Sequence, residues 1–251
     1  MSELSFRVVI PARYESTRFP GKALALLHGR PLIQHVYERA ISSGACEVFV
    51  ATDDRRIERC ARDFGAEVER TRGDHPSGSD RVAEVAATQG WPDADIVVNV
   101  QGDVPLVPPG SIDQVAELLA EHGCAAIATL RTPIARLEEY FDPNVVKLVC
   151  DSAGRALYFS RAPIPSAAHA QQDEGELPQA WRHIGLYGYR VGDLRRLTSA
   201  NPCYLEQAER LEQLRALWLG MEIRVGIARE AHGPDVDTPE DLEAAARYVA
   251  G

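Results

Sequence analysis

Apolar and polar positions follow two regimes along this chain. In the first, Phe6 to Ile10 is a short apolar, β-branched run closed by Pro11, the pattern of a strand buried on both faces. Pro31 to Gly44 predicts a helix, with Leu32, Val36 and Ala40 on one face, Pro31 at the first helical position and Gly44 as the stop. Glu47 to Ala51 predicts a second strand. Thr52-Asp53-Asp54 then opens a helix to Phe64 with an acidic first turn, and Ala66 to Glu69 is a third strand. Helix 78–89, the continuous apolar run Ile96 to Val100, helix 109–122 and strand 124–130 continue the rhythm. Such alternation predicts βαβ units and a parallel sheet.

After that the rhythm changes. Val145 to Cys150 and Arg155 to Ser160 flank the turn Asp151-Ser-Ala-Gly154, which predicts a β-hairpin. Residues 163–181 are rich in Pro, Ala, Gln and Glu and are expected to be a mobile surface loop. Tyr204 to Gly220 reads as one helix, with Leu211, Leu214 and Trp218 at helical spacing, and Glu222 to Ala228 as the last strand. In Val236-Asp-Thr-Pro-Glu-Asp-Leu242, Thr238 caps a helix, Pro239 takes its first position and Asp241 closes an acidic variant of a capping box. The expected fold is α/β and Rossmann-like: a mostly parallel sheet flanked by helices, with a smaller β-rich sub-region after about residue 140.

The loop after the first strand carries the first chemistry. Ala12-Arg-Tyr-Glu-Ser-Thr-Arg-Phe-Pro-Gly-Lys22 places Arg13, Arg18 and Lys22 among small and hydroxylated residues, Ser16 included. Arginine forks and a lysine point charge suit a polyphosphate. The stretch holds neither Gly-x-Gly-x-x-Gly nor Gly-x-x-x-x-Gly-Lys-Ser/Thr, which disfavours a dinucleotide dehydrogenase and a P-loop ATPase.

Charge sharpens this. The 251 residues carry a formal net charge of −10, which argues against a general nucleic-acid or membrane-surface binder and makes a local cationic loop stand out. Five scattered cysteines without a Cys-x-x-Cys pair suit buried thiols in a reducing cytoplasm. No signal peptide is expected, and no apolar run approaches the roughly 20 residues of a bilayer span.

Three further stretches look chemical. Arg70-Thr-Arg-Gly-Asp-His-Pro-Ser-Gly-Ser-Asp-Arg81 runs into a helix that Ser77 or Ser79 caps, with free N–H groups suited to an anion. Gln101-Gly-Asp103 follows the central strand, where ligands of open parallel sheets bind, so Asp103 is placed to hold a hard cation. Tyr158-Phe-Ser-Arg161 and Arg182-His-Ile-Gly-Leu-Tyr-Gly-Tyr-Arg190 concentrate Arg, His and Tyr. Glu212 and Gln213 lie off the apolar stripe of their helix.

Together, and in order along nearly the whole chain, these motifs resemble the sugar nucleotidyltransferases. Their combination resembles the cytidylyltransferases that activate 3-deoxy-manno-octulosonate (Kdo). The sequence departs from the family pattern at Pro76, Ser79, Asp80 and at Val104, where the family has a glutamate. The resemblance implies one nucleotidyltransferase domain over 1–251, with 140–190 as its acceptor-sugar and dimerisation region. It implies transfer of CMP from CTP to Kdo with release of pyrophosphate, supplying lipopolysaccharide synthesis. It assigns Ala12, Arg13, Ser16, Arg18, Lys22, Arg72, Ser77, Gly78, Arg81 and Gln101 to the nucleotide. Arg161 would take the acceptor's carboxylate, and His183, Tyr187, Glu212 and Gln213 its hydroxyls. Asp103 and Asp237 would hold Mg²⁺, and with Arg13 and Lys22 would form the catalytic set. No general base is evident, so metal assistance is expected to activate the sugar hydroxyl. A cytoplasmic homodimer is implied. Two alternatives stand beside this: another acidic sugar (sialic acid or an amino analogue of Kdo), or a non-catalytic nucleotide-binding protein.

Overall fold

The computed structural model describes residues 4–15, 18–166 and 179–250. The chain runs β1 (Phe6–Pro11), a 3-10 turn (Lys22–Leu24), β2 (Leu26–Leu27), β3 (Arg30–Pro31), α1 (Leu32–Ile41), β4 (Glu47–Thr52), α2 (Arg55–Asp63), β5 (Glu67–Arg70), α3 (Gly78–Thr88) and β6 (Ile96–Asn99). Then follow α4 (Pro109–Glu121), β7 (Ile127–Pro133), α5 (Leu137–Phe141), β8 (Lys147–Cys150), β9 (Ala156–Ser160), β10 (Trp181–Arg190), α6 (Val191–Ser199), α7 (Tyr204–Glu209), α8 (Gln213–Trp218), β11 (Ile223–Ile227) and α9 (Pro239–Ala250).

The main sheet has the order β11-β7-β10-β6-β1-β4-β5, with β8 and β9 attached to the far end of β10. β1 pairs in parallel with β4 and β6, which explains its apolar residues on both faces. Val8, Ile10, Val98 and Val100 face α1, α2 and α4. Val9 and Val97 face α3, α6 and α8 on the other side. The sequence expectation of a mostly parallel, helix-flanked sheet therefore holds.

The expected hairpin is β8–β9, and its turn is fixed by Asp151, whose Oδ1 accepts from Ala153 N and Arg155 N, each at 2.9 Å. Lys147 on β8 is fully buried. Its ammonium donates to the carbonyls of Asp142 (2.8 Å), Val145 (2.6 Å) and Arg161 (2.6 Å), and burial lowers its pKa. A cation buried this way stays charged only because carbonyl oxygens replace its water.

Several boundaries differ from the sequence reading. Within the expected β-rich sub-region, β10 enters the main sheet, antiparallel between β6 and β7. Pro31 precedes α1 rather than starting it, because it pairs with Leu26 in the β2–β3 ribbon. β7 begins at Ile127, since His122 to Ala125 form a turn closed by the bond from Ala125 N to the His122 carbonyl. The helix expected over 204–220 is two helices, α7 and α8. Arg210 between them has φ 55°, a left-handed conformation that interrupts helical bonding. The expected surface loop falls largely on residues 167–178, which lie outside the described residues.

Candidate active site

The site forms where β1 and β6 run side by side and their carboxyl ends open into loops, the crevice at which the strand order changes direction. Gly102 lets the two ends close, since a Cβ there would stand 3.0 Å from the Pro11 carbonyl oxygen. A cleft of about 250 Å³ lies above. Ala12, Arg13, Arg18 and Lys22 line it from one side, Ser77, Gly78 and Arg81 from another, and Gln101, Asp103 and Asp237 close it. Ser16 is outside the described residues.

Lys22 organises the acidic end. Its Nζ donates to Asp103 Oδ2 at 2.7 Å and to Asp237 Oδ1 at 3.1 Å, and Arg18 meets Asp237 Oδ2 at 3.0 Å. Backbone contacts fix both acids. Val236 N donates to the Asp103 carbonyl at 2.9 Å. The expected capping box is present: Asp241 Oδ2 accepts from Asp237 N (3.0 Å) and Thr238 N (2.9 Å), and Thr238 Oγ1 accepts from Asp241 N (3.3 Å). Asp235, a residue the sequence did not flag, joins this cluster. Although its side chain reaches solvent, the protein packed around it and then the charge of Asp103 push its pKa up to about 6; Arg182 opposes this, and Asp237 adds to it.

On the nucleotide side, Ser77 rather than Ser79 caps α3: Asp80 N donates to Ser77 Oγ at 3.3 Å, and Ser77 Oγ donates to Asp80 Oδ2 at 2.6 Å. The first turn of α3 therefore points its free N–H groups toward the cleft. Ser79 is buried and bonds the Tyr189 hydroxyl at 3.3 Å. Arg81 is almost fully buried, paired with Asp53 at 2.7 Å and bonded to the Thr71 hydroxyl, so it fixes the cleft wall as well as lining it. Arg72 is not brought to the cleft; its exposed guanidinium meets Asp74 at 3.3 Å.

Two supporting residues escaped the sequence reading. His75 lines the cleft and is bonded to Glu84, which also accepts from Arg72 N at 3.1 Å. Tyr14 lies against Gly21, whose φ is +72°, with the Arg56 guanidinium 3.2 Å over its ring. A Cβ at Gly21 would stand 3.1 Å from that ring, so the tight return of the cationic loop depends on glycine there.

A second, smaller cavity of about 50 Å³ adjoins the cleft and shares Gln101 with it. Tyr187, Tyr189, Glu212 and Gln213 line it. Glu212 Oε1 and Gln213 Nε2 are buried there without a hydrogen-bond partner. Burial raises the Glu212 pKa, partly offset by the Ser77 hydroxyl. His183 packs between Phe159 and Tyr187, with ring centroids 5.1 and 5.2 Å away, and its Nε2 is 3.0 Å from Thr129 Oγ1. Burial lowers its pKa to about 3, so the imidazole is neutral across the physiological range. Arg161 does not reach either cavity. Its guanidinium donates to the carbonyls of Glu209 (2.8 Å) and Pro143 (2.9 Å), tying the β9 end to α7.

Among the described residues no cluster of three or more His, Cys, Asp or Glu side chains has a metal-binding arrangement. The donor set at Lys22 is a pair of carboxylates beside a phosphate-sized cationic cleft. Mg²⁺ binds through one or two carboxylates with substrate phosphates and water completing its octahedron, so the pair fits that ion.

A cytidylyltransferase family model matches residues 7–223, and the chain belongs to that family. It is 55% identical over 96% of its length to a protein named 3-deoxy-manno-octulosonate cytidylyltransferase from Thioalkalivibrio sulfidiphilus, covering 97% of that relative. It is 53% identical over 99% of its length to the protein of the same name from Halorhodospira halophila, covering 98% of it. The solved structure of a CMP:2-keto-3-deoxy-manno-octonic acid synthetase complexed with CTP superposes with a TM-score of 0.90 at 40% identity, covering 99% of both chains.

Proposed function

We propose that this enzyme transfers CMP from CTP to the anomeric hydroxyl of Kdo, releasing pyrophosphate and supplying activated sugar for lipopolysaccharide synthesis. The observation that carries this reading is the convergence of Asp103 and Asp237 on Lys22, at the rim of a cationic cleft that adjoins a cavity with unpaired polar atoms. The names of the relatives support the same substrates.

On this reading each group has its work. The α3 N-terminus and Arg13, Arg18 and Lys22 offset the charge of the triphosphate and of the departing pyrophosphate. Lys22 also holds the two carboxylates together against their mutual repulsion. Asp103 and Asp237 would hold Mg²⁺, which supplies charge stabilisation at the phosphate oxygens. Glu212, Gln213 and Tyr187 offer hydrogen bonds to a polyhydroxylated acceptor. Placing one anionic substrate against another is most of the catalytic task.

Pyrophosphate release tests the reading, with CTP, Mg²⁺ and Kdo, and with sialic acid, no sugar and EDTA as controls. Release with Kdo alone, abolished by EDTA, is the expected result. Release only with another acidic sugar would overturn the acceptor assignment, and CTP binding without release would overturn catalysis.

A homodimer through the region 140–190 is proposed as well. The exposed apolar side chains there, Phe141 at 61% and Leu157 at 59%, support it. Light scattering that reports a monomer at micromolar concentration would reject it. The cytoplasm is the proposed compartment: all five cysteines are free thiols, and no described helix is long and apolar enough to cross a membrane.

A further inference from the structure

Asn99 closes β6, at the centre of the sheet. Its side chain is fully buried, yet neither Oδ1 nor Nδ2 has a hydrogen-bond partner. Few native side chains stay in that condition, because desolvating an amide without replacing its hydrogen bonds is unfavourable. β-branched residues fill the neighbouring strand positions at no such cost, as Val97 and Val98 do.

The sheet register places this amide. Cross-strand partners share a face, and Asn99 stands between Val9 on β1 and Tyr187 on β10. Alternation along the chain puts Val97 and Gln101 on that same face. Tyr187 and Gln101 both line the small cavity. Two further unpaired atoms, Glu212 Oε1 and Gln213 Nε2, belong to residues that line this cavity. Asn99 is not itself among the lining residues: its two unpaired amide atoms sit in the sheet beside Tyr187, which does line the cavity.

We infer that Asn99 is the floor of the acceptor pocket, and that its amide donates to one sugar hydroxyl and accepts from another when the acceptor binds. This rests on the acceptor reading of the cavity and extends it to a residue that no motif match singled out. The amide is left unpaired in the free protein, so stability is given up for recognition. A site built to hydrogen-bond hydroxyls also rejects ligands that lack them, because its own polar atoms are then left buried and unpaired.

The test separates stability from recognition. Asn99→Val should leave the free protein's Tm equal to or above that of the parent, while the acceptor KM rises about tenfold to a hundredfold and the CTP KM stays within about twofold. A lowered Tm with an unchanged acceptor KM would overturn the inference, since the amide would then be paired within the fold, for instance to an ordered water. If Asn99→Val does not fold, Asn99→Ser provides the same comparison: its acceptor KM should rise with the CTP KM unchanged, and an unchanged acceptor KM is again the overturning result. A parent enzyme that uses no acidic sugar would instead sink the acceptor reading itself, which parent turnover alone reveals.

Discussion

Asp103 and Asp237 close on a single ammonium: Lys22 Nζ stands 2.7 Å from one and 3.1 Å from the other. One carboxylate follows the central strand and the other precedes the last helix, so the pair exists only in the completed fold. Asp103→Asn keeps the shape and removes the charge. Turnover should fall by roughly 10²–10³-fold, the scale of one lost electrostatic contact to the transition state. The Tm should stay within a few degrees, because a strand-end carboxylate is not core. Near-native turnover at saturating Mg²⁺ would remove Asp103 from the proposed metal site.

His183 sets a pH dependence of stability. Its folded pKa is lowered to about 3, below the ordinary value near 6.5, and burial lowers His232 to about 4. Between those limits the unfolded chain takes up protons that the folded chain does not, so stability declines as pH falls from about 6.5 toward 3. Urea midpoints at pH 7 and pH 5 should show the decline, and His183→Gln should shrink it. A midpoint that rises on acidification of this range would contradict the burial. The same neutrality means that kcat should show no group near pH 6.5 that disappears in a His183 variant.

Arg161 offers a clean division between structure and recognition. With its guanidinium on the carbonyls of Glu209 and Pro143, Arg161→Ala should cost about 1–3 kcal/mol. For a chain of this size that lowers Tm by several degrees. An unchanged Tm with a raised acceptor KM would show that the side chain leaves those carbonyls to take the sugar's carboxylate.

Arg215 and Glu206 form a buried pair, with Nε to Oε2 at 2.8 Å and Nη2 to Oε1 at 2.5 Å, and Arg215 also donates to the carbonyls of Leu197 and Ala200. Glu206→Ala leaves the guanidinium buried without its counter-charge. Denaturant unfolding should show a loss of about 3–5 kcal/mol. A loss under about 1 kcal/mol would mean that the site opens to water.

How far the chain could be read from its letters depended on periodicity. The parallel half, β1 through α4, was legible because β1 and β6 are apolar apart from Arg7 and Asn99 and the helices between them keep a 3.6-residue stripe. β10 was not legible as a central strand: Gly185 and Gly188 break its pattern, and Gly188 is there because a Cβ would meet Val115 Cγ1 at 2.6 Å. The break at Arg210 carries no glycine, so nothing local marks a left-handed residue. In the site, Lys22, Asp103, Ser77 and Gln101 stood out by motif and converge in space. Arg161 and Arg72 matched motifs equally well, yet their partners lie elsewhere. Those partners are backbone carbonyls from distant segments for Arg161 and a neighbouring aspartate for Arg72, and pattern alone does not reveal either. Asn99 was invisible inside an apolar run, since an unpaired amide has meaning only once its burial is known.

The placement of β10 also bears on how the chain reaches its folded state. β6 gains its second neighbour only when residues 187–190 pair with it. Until then a growing chain already holds the apolar strand Ile96–Asn99 with one open hydrogen-bonding edge, a template for another chain. Closing that edge requires contacts between distant sequence positions, which form slowly. Nascent or truncated chains that stop before Trp181 should therefore associate rather than fold, and this enzyme should depend on chaperones more than its modest length suggests.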